Sequence, residues 1–367
     1  MDNKIKVLHI VGAMYPGGME NFIMNIYENI DRERFHFDFA VHDIKENGYE
    51  ARISELGGRV FQLPRLTRHP LKNFTELKKL VKKEKYDVVI RHTASALVAP
   101  QLLAAKLAGA VTVCHSHNET DPKKAAHYIG RILLLACTDK RIACSENAGK
   151  WMYGKKSFQV INNAIDLNKF AFRDEYKKAV IDEFCLQNKH IYGHVANFIA
   201  SKNHMFLMEV FKEITEIDKD AVLICLGEGD LRPSIEEKIK SCGLEDKVIL
   251  AGIRHDAEKF FSAFDVMVFP SLFEGLPLTL IEAQVSGLKV LMSDTVTPNV
   301  VVTDGLVTAK SLSDGEKSWA LEAVSIVDRF QNADRICQRE SIRKHGYDLE
   351  QLTKWYEEFL SHIKKGD

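Results

Sequence analysis

Strand-like and helix-like segments alternate along the whole chain, and this alternation limits the possible folds more than any other feature. The predicted strands are short apolar runs bounded by glycine, proline or polar turns. They cover residues 4–11, 35–41, 60–63, 88–90, 111–114, 191–196, 221–226, 248–251, 266–269 and 289–292. Such alternation predicts parallel sheets with helices on both faces, and therefore an α/β fold of doubly wound, Rossmann-like domains.

The length of the chain, 367 residues, is sufficient for two domains that each bury a core. The polar, turn-forming segment 162–166 (Asn-Asn-Ala-Ile-Asp) separates the two halves of the alternation. We therefore predict a first domain over residues 1–166 and a second over residues 167–348. The remaining segment, residues 349–367, has the apolar spacing of an amphipathic helix.

The charge balance gives no sign of nucleic-acid binding, because 50 basic side chains nearly match 51 acidic ones. No apolar run is long enough to span a bilayer, and the first residues carry no signal-peptide core. The seven cysteines are odd in number and form no Cys-x-x-Cys pair, which suits reduced thiols. We expect a cytoplasmic protein.

The segment 270–287, which reads PSLFEGLPLTLIEAQVSG, carries the most informative pattern in the sequence. Pro277 follows a predicted strand, and a proline at this position is typical of the first turn of a helix. Leu278, Ile281 and Val285 have helical spacing and are expected to face the core. The first backbone N–H groups, near Leu278 and Thr279, would then be unpaired. Such a helix start is a site for phosphate.

Two glutamates accompany this predicted phosphate site. Glu274 precedes the helix, and Glu282 lies one turn inside it, with a side chain that leans back toward the helix start. In an ordinary loop and helix both would simply be solvated. A carboxylate beside a phosphate is repulsive unless it binds something else, and a ribose diol offers two donors.

A glycine-containing loop follows the first predicted strand and includes Gly17 and Gly18. The pattern matches neither a Walker loop nor a dinucleotide-binding fingerprint. A tight turn that requires a positive φ would explain both glycines. The alternative is close approach to a ligand, because open α/β sheets bind ligands at the carboxyl ends of their strands.

Two histidines, His115 and His117, follow the predicted strand 111–114. They could be metal ligands, but no third ligand lies at a recognisable spacing, and we predict no metal site. Both stand at the carboxyl edge of a parallel strand, beside the Gly17–Gly18 loop in a doubly wound order. Arg91 and His92, which end the preceding predicted strand, and Ser145 are weaker candidates for the same site.

Residues 65–85 hold eight basic side chains around an apolar helical stripe. The simplest interpretation is a surface helix with a solvated basic face. The alternative is a contact with anionic lipid headgroups, to which each cation near the surface contributes about 1 kcal/mol.

The segment FEGLPLTLIEA resembles the Glu-x7-Glu signature of retaining glycosyltransferases of family 4, which have the GT-B fold. The resemblance implies that Glu282 holds the ribose of a nucleotide-sugar and that Glu274 lies beside the donor sugar. It also implies an acceptor-binding first domain, a donor-binding second domain, and a C-terminal helix that crosses back to the first. Several loops (RHTAS, HSHN, NNAID and SDT) look most like the capsule and exopolysaccharide branch.

The resemblance also assigns loop residues. It implies that Gly17 and Gly18 face the donor diphosphate and the acceptor, and that His117, with His115 as the second choice, contacts the donor sugar.

In the second half of the chain, the same resemblance implies that Lys202 binds the diphosphate and that Gly252 and Arg254 lie where relatives hold the base. Asn197 stands where relatives carry an arginine, so one cation is missing from the predicted diphosphate site. A neighbouring cation such as Arg254 is a candidate replacement.

The implied reaction is transfer of a sugar from a nucleotide diphosphate, with UDP as the expected nucleotide, to a hydroxyl of a lipid-linked or other carbohydrate acceptor. We expect no metal or other cofactor, no nucleic-acid partner, and peripheral contact with the inner face of the membrane through residues 65–85. Two alternatives stay open. One is a UDP-GlcNAc 2-epimerase-like enzyme, and the other is a non-catalytic partner of a transferase, suggested by Asn197.

Overall fold

A computed structural model of the protein describes residues 4–15, 17–118, 120, 124–329, 335 and 338–365. The chain forms two compact units. Unit 1 contains residues 1–164 together with 349–367, and unit 2 contains residues 165–348. Pro16, which precedes the Gly17–Gly18 pair, and the last two residues of the predicted C-terminal segment lie outside the described residues.

Unit 1 is built on a seven-stranded sheet in which all pairings are parallel. The strand order is β3-β2-β1-β4-β5-β6-β7. The strands are β1 Ile5–Ile10, β2 Phe35–Val41, β3 Val60–Gln62, β4 Val88–Thr93, β5 Val111–Ser116, β6 Lys140–Ala143 and β7 Gln159–Val160. The order reverses between β1 and β4, and such a switch point opens a crevice at the carboxyl ends of the strands.

Helices cover both faces of this sheet. They are α1 Gly18–Asn29, α2 Glu50–Glu55, α3 Pro70–Glu84, α4 Ala99–Lys106, α5 Lys124–Cys137 and α6 Glu146–Tyr153. One core joins α1 to the sheet through residues such as Phe22, Ile26 and Phe37. The opposite face is covered by α3 to α6, which bury residues such as Leu77, Leu102 and Leu134.

Unit 2 repeats the same plan with six parallel strands in the order β10-β9-β8-β11-β12-β13. The strands are β8 His190–Val195, β9 Ala221–Leu226, β10 Val248–Gly252, β11 Val266–Phe269, β12 Val290–Ser293 and β13 Val307–Lys310. The switch point of this sheet lies between β8 and β11.

The helices of unit 2 are α7 Asp174–Phe184, α8 His204–Ile217, α9 Arg232–Cys242, α10 Ala257–Ala263, α11 Leu278–Val285, α12 Glu316–Arg329 and α13 Arg339–Lys344. A core rich in phenylalanine lies under α7, α10 and α11, and a second core around Trp319 lies under α8, α9 and α12. The prediction of two doubly wound, Rossmann-like domains is confirmed.

The last helix, α14 Leu349–Lys365, belongs to unit 1 although it follows unit 2 in sequence. It buries Leu352, Tyr356, Leu360 and Ile363, which recur at helical spacing, against the core that contains α1. A fully buried side chain of this size contributes roughly 1.5–3 kcal/mol. The predicted return of the C-terminal helix to the first domain is confirmed.

Several predicted strand ends differ from the structure. Strand β4 continues through Thr93 and β5 through Ser116, so His92 and His115 lie inside strands and not in the following loops. Polar residues at the carboxyl end of a strand resemble a loop in sequence, although here they still pair with neighbouring strands. The described ranges contain no helix with the length and apolar character required to cross a bilayer.

Candidate functional site

Two loops of unit 2 meet at the switch point of its sheet. One follows β8 and the other follows β11, so both start from the carboxyl ends of neighbouring strands. The backbone N–H of Leu272 donates to the carbonyl of Ser201 at 2.8 Å, and the Asn203 amide donates to the carbonyl of Pro270 at 3.1 Å. These bonds hold the two loops against each other.

The paired loops bring Lys202 and Glu274 together. The Lys202 ammonium donates to the Glu274 carboxylate, and the two side chains are only 17% and 11% exposed. The ammonium also lies 5.6 Å from the ring centre of Phe269. Both residues were predicted from separate motifs, and the structure joins them as one ion pair in a half-buried setting.

Helix α11 begins directly after the loop that contains Glu274. Pro277 is its N-cap, and Leu278 and Thr279 form its first turn. Within the described part of unit 2, no group accepts a hydrogen bond from the N–H of Leu278 or Thr279. The predicted burial of Ile281 is correct, whereas Leu278 is only half-buried. A half-buried first turn leaves its amides accessible to an anion.

Glu282 lies one turn inside α11 and is partly buried. Burial raises its pKa to about 7, the neighbouring Lys169 opposes this rise, and Glu258 adds to it. A carboxyl group with a pKa near neutrality is poised to change its charge when a ligand arrives, and perturbed groups of this kind concentrate at functional sites.

The remaining predicted residues of unit 2 lie on the neighbouring loops. Asn197 is exposed directly after β8, and Gly252 ends β10 with a φ of +70°. Arg254 forms a bidentate pair with Glu183, at 2.8 and 3.1 Å, and a second pair with Asp256 at 2.8 and 3.0 Å. Its charge is therefore already shared by two carboxylates, which argues against Arg254 as the replacement for the missing arginine.

Four apolar side chains are exposed on these same loops, although exposure of large apolar residues is unfavourable without a partner. They are Ile199, Ile253, Leu272 and Phe273. Sequence reasoning missed them, because an apolar residue in a loop has the same appearance in sequence whether it is exposed or buried.

In unit 1, Gly17 is the N-cap of α1 with an extended φ of −166°, and Gly18 is its first residue. Neither glycine has a positive φ, so the tight-turn explanation is wrong for both. A β-carbon on Gly17 would lie 2.7 Å from the Glu20 carboxylate, whereas one on Gly18 would meet nothing within 4 Å. Gly18 is exposed, so the backbone at the start of α1 is open to a ligand.

Four histidines occupy one face of the first sheet at the carboxyl ends of β1, β4 and β5. His92 lies directly opposite His115 in the pairing of β4 with β5, and His117 follows β5 on the same face. His9 lies on β1, opposite Ile90. Nδ1 of His9 is 3.0 Å from Nε2 of His92, and Nδ1 of His92 is 3.1 Å from Nε2 of His117. These three rings form a hydrogen-bonded row.

His115 stands beside this row. It is fully buried, and neither of its ring nitrogens has a partner in the part of the chain that the structure describes. Its ring centre lies 3.9 Å from that of His117 and 5.2 Å from that of His92. Burial lowers the pKa of His117 to about 3 and keeps the pKa values of His92 and His115 well below the ordinary range. All three rings are therefore neutral near pH 7.

His92, His115 and His117 present ring nitrogens that all lie within 4.8 Å of one another. Strand pairing therefore brings a third candidate ligand to the two predicted histidines. Spacing could not reveal His92 as that ligand, because strand pairing and not sequence proximity brings it to the other two.

Arg91 and Ser145 have structural roles that the sequence did not reveal. Arg91 alternates to the opposite face of β4 from His92, where its guanidinium donates to Gln101 at 2.8 Å and to the carbonyl of Ile10 at 2.9 Å. Arg91 therefore lies on the other face of β4 from the histidine rings, and its place in the cleft stays a prediction. Ser145 caps α6 by accepting a hydrogen bond from the N–H of Ala148 at 3.0 Å.

The predicted basic segment contains α3, in which Leu77 and Val81 of the apolar stripe are buried as expected for a surface helix. Leu71, at the start of the stripe, is 82% exposed, so its predicted burial is wrong. A second feature nearby was not predicted. Helix α5, separated from α3 by α4, exposes Ile129 and Ile132 at 74% and 76%, beside the exposed Tyr128. An apolar stripe on a helix predicts burial, and here no described element covers it.

The structure also contains a cavity of about 460 Å³ between the start of β6 and the middle of α14. Arg141 and Trp355 are among the residues that line it. It lies at the amino ends of the strands, whereas the four histidines of the first sheet lie at the carboxyl ends. None of the predicted site residues lines it.

Family models match both halves of the chain. The model described as Glycosyltransferase Family 4 matches residues 16–169, and the model described as Glycosyl transferases group 1 matches residues 189–328. The chain is 34% identical to EpsF of Bacillus subtilis, whose name describes it as a glycosyltransferase, over 94% of each chain. It is 29% identical to the Escherichia coli UDP-Gal:α-D-GlcNAc-diphosphoundecaprenol α-1,3-galactosyltransferase over 80% of each chain.

Solved structures show the same fold at low sequence identity. Anabaena HepE in complex with UDP and glucose has a TM-score of 0.78 at 17% identity, covering 97% of this chain and 99% of that chain. A glycosyltransferase from Rickettsia africae has a TM-score of 0.82 at 16% identity, with both chains fully covered.

Proposed function

The chain belongs to family 4 of the glycosyltransferases, and from this premise we propose that it transfers a sugar from a UDP-sugar to a hydroxyl of a growing, lipid-linked cell-surface polysaccharide. Transferase activity and the GT-B fold follow from its relatives. The donor, the acceptor and retention of configuration are the proposed parts.

One observation carries the proposal: Lys202, Glu274, Glu282 and the unpaired amides of Leu278 and Thr279 all lie on the two loops and the helix at the switch point of unit 2. Positive charge, free N–H donors and two carboxylates are the groups that a nucleotide-sugar requires. The Lys202 ammonium and the α11 amides would bind the diphosphate. The two carboxylates would accept hydrogen bonds from the sugar and ribose hydroxyls.

The Lys202–Glu274 pair suggests how donor binding proceeds. In the free protein each charge satisfies the other. A diphosphate that docks on the amides of α11 competes for the Lys202 ammonium, and this competition releases the Glu274 carboxylate to accept hydrogen bonds from sugar hydroxyls. The ion pair therefore holds the Lys202 ammonium and the Glu274 carboxylate, both largely shielded from water, close to the positions where they would bind the donor.

Charge development determines the barrier of the proposed reaction. The anomeric carbon becomes positively charged while the departing diphosphate gains negative charge. Lys202 and the α11 amides stabilise the diphosphate, and each preorganised donor of this kind is worth about 3 kcal/mol. We propose no metal for this step, because these groups supply the required positive charge. Asn197 leaves the site with one cation fewer than its relatives.

Glu282 is the proposed ribose ligand. An ionised carboxylate can accept hydrogen bonds from both ribose hydroxyls, and these bonds favour its charged form. The exposed apolar side chains Ile199, Ile253, Leu272 and Phe273 offer surfaces for the flat base and for the sugar. UDP is proposed because the Escherichia coli relative is named for UDP-Gal and HepE is described with UDP and with UDP-glucose.

Unit 1 is the proposed acceptor domain, and the role of His117 beside the donor sugar stays a prediction. A lipid-linked acceptor requires the protein to work at a membrane surface. The basic face of α3 and the exposed apolar stripe of α5 are separated only by α4, and together they combine attraction to anionic headgroups with apolar side chains for insertion. We propose this surface as the peripheral membrane contact.

The test is an assay of the purified full chain with UDP- and GDP-sugars and a diphosphoundecaprenol-linked sugar, with NMR of the product to identify the anomeric configuration. Product that forms only when acceptor is present, with the donor's configuration, supports the proposal. Conversion of UDP-GlcNAc without acceptor would instead identify an epimerase. If Lys202→Ala and Glu274→Ala leave the product yield of a reconstituted pathway unchanged, the chain is a non-catalytic partner.

A further inference from the structure

We infer that His92, His115 and His117 form a binding site for one divalent transition-metal ion, with Zn²⁺ as the best-fitting ion. The site lies in unit 1, at the carboxyl ends of β4 and β5, whereas the diphosphate site proposed above is built from residues of unit 2. It goes beyond the transfer reaction, which we propose to need no metal.

The spacing of the ring nitrogens suits such an ion. Zinc binds imidazole nitrogen at about 2.0–2.1 Å, so two nitrogens of a tetrahedral site lie roughly 3.3 Å apart. Nδ1 of His92 and Nε2 of His117 are already 3.1 Å apart. The candidate nitrogens of the three rings all lie within 4.8 Å of one another, so small changes in ring orientation would bring them to this spacing.

The orphaned polar atoms of His115 point to a missing ligand. A fully buried ring with two unpartnered nitrogens is costly, and such groups in proteins call for an explanation such as an ion or water. Coordination would satisfy one of these nitrogens. His117 is only partly buried, which gives an ion a path into the site.

His9 supplies the outer support that a metal-bound histidine requires. When Nδ1 of His92 binds an ion, the proton of its neutral ring lies on Nε2, which is 3.0 Å from Nδ1 of His9. His92 can then donate to His9, in the way that metal-ligating histidines usually donate their second N–H. Because each ring keeps one proton, the metal-bound row requires only a change of tautomers.

Ligand type selects the ion. Among the described residues the candidate ligands are three imidazoles, a set that suits Zn²⁺, Co²⁺, Ni²⁺ or Cu²⁺ and disfavours Mg²⁺ and Ca²⁺, which prefer oxygen. Three protein nitrogens leave a fourth position for water or another small ligand.

The experiment uses untagged, chelator-treated full-length protein titrated with Co²⁺, followed by displacement with Zn²⁺. We expect one equivalent of Co²⁺ to give the visible absorption of a four-coordinate nitrogen site, without a thiolate charge-transfer band. His115→Asn and His117→Asn should each weaken binding more than about 100-fold, and His9→Phe by about 10–100-fold, the usual effect of losing an outer partner.

The matched control is His204→Asn in unit 2. His204 is also buried with both ring nitrogens unpartnered and contacts a second histidine, His194, but the described residues around this pair provide no third ligand. This variant should bind Co²⁺ as the unmodified protein does. Loss of binding in His204→Asn, or unchanged binding in His115→Asn, would overturn the assignment.

A direct spectrum of the unmodified protein keeps the test decisive if a variant does not fold. Proton NMR of the Co²⁺ form should show three paramagnetically shifted imidazole N–H signals, one for each ligand. Fewer than three signals, a sulfur charge-transfer band, or no saturable binding of Co²⁺ refutes the site. None of these measurements depends on transferase activity, so the proposed function is tested separately.

Discussion

The raised pKa of Glu282 predicts that the affinity for a UDP-sugar increases with pH. With a pKa of about 7 in the free protein, roughly one molecule in ten carries the ionised carboxylate at pH 6 and nine in ten at pH 8. The ribose hydroxyls bind the ionised form best, so binding lowers this pKa and releases a proton. The dissociation constant should therefore fall about ninefold from pH 6 to pH 8, which corresponds to roughly 1.3 kcal/mol.

The assay is isothermal titration calorimetry with a UDP-sugar. A sugar nucleotide is preferable to UDP itself, because the terminal phosphate of UDP titrates in the same range. In Glu282→Gln the affinity should be independent of pH and lower than that of the unmodified protein at every pH from 6 to 8, because no ionised carboxylate is left to bind the ribose. Measurements in buffers of different ionisation enthalpy should show proton release on binding below pH 7.

Two neighbours of Glu282 provide matched controls with opposite signs. Lys169 lowers the pKa of Glu282 and Glu258 raises it. Lys169→Met should therefore move the midpoint of the pH profile upward, and Glu258→Gln should move it downward. A flat profile in the unmodified protein, or a midpoint that persists in Glu282→Gln, would refute the assignment of this carboxylate to the ribose.

Three further predictions follow from other parts of the structure. Lys202→Ala should lower kcat about 100- to 1,000-fold because the diphosphate loses a preorganised donor, whereas Lys240→Ala, which removes an exposed charge on α9, should leave kcat unchanged in the same steady-state assay. Leu360→Ala should reduce the free energy of unfolding by about 2–5 kcal/mol in urea denaturation, because it opens a cavity under α14. A loss below 0.5 kcal/mol, the range for surface changes, would contradict that packing. The double variant Ile129→Asp, Ile132→Asp should lose flotation with anionic vesicles at unchanged melting temperature, and full retention of flotation would exclude the α5 stripe as a membrane contact.

The order of strands and helices could be predicted because each long parallel strand is buried on both faces and therefore forms a continuous apolar run. The short strands β6, β7 and β13 were not predicted as strands. Strand β6 begins with Lys140 and Arg141, and β7 has two exposed residues, so neither presents that run. Their pairing is determined by the neighbouring strand and not by their own composition.

The individual residues of the candidate site could be predicted from the sequence, whereas the contacts between them could not. Lys202 and Glu274 were identified from separate segments, but their ion pair spans 72 positions and depends on β8 and β11 being neighbours. The same reason explains the histidine row. The register between strands aligns His9, His92 and His117, and no spacing within one segment encodes that register.

Helix α14 also has a consequence for how the protein is made. The chain leaves unit 1 after Ala164 and returns to it at Leu349, so unit 2 is an insertion within unit 1. During synthesis the apolar surface around α1 stays uncovered until α14 is made, after the nearly two hundred residues of unit 2 have left the ribosome. Unit 2 is contiguous and can complete its core first, so the order of maturation should be the reverse of the order in which the two sheets begin.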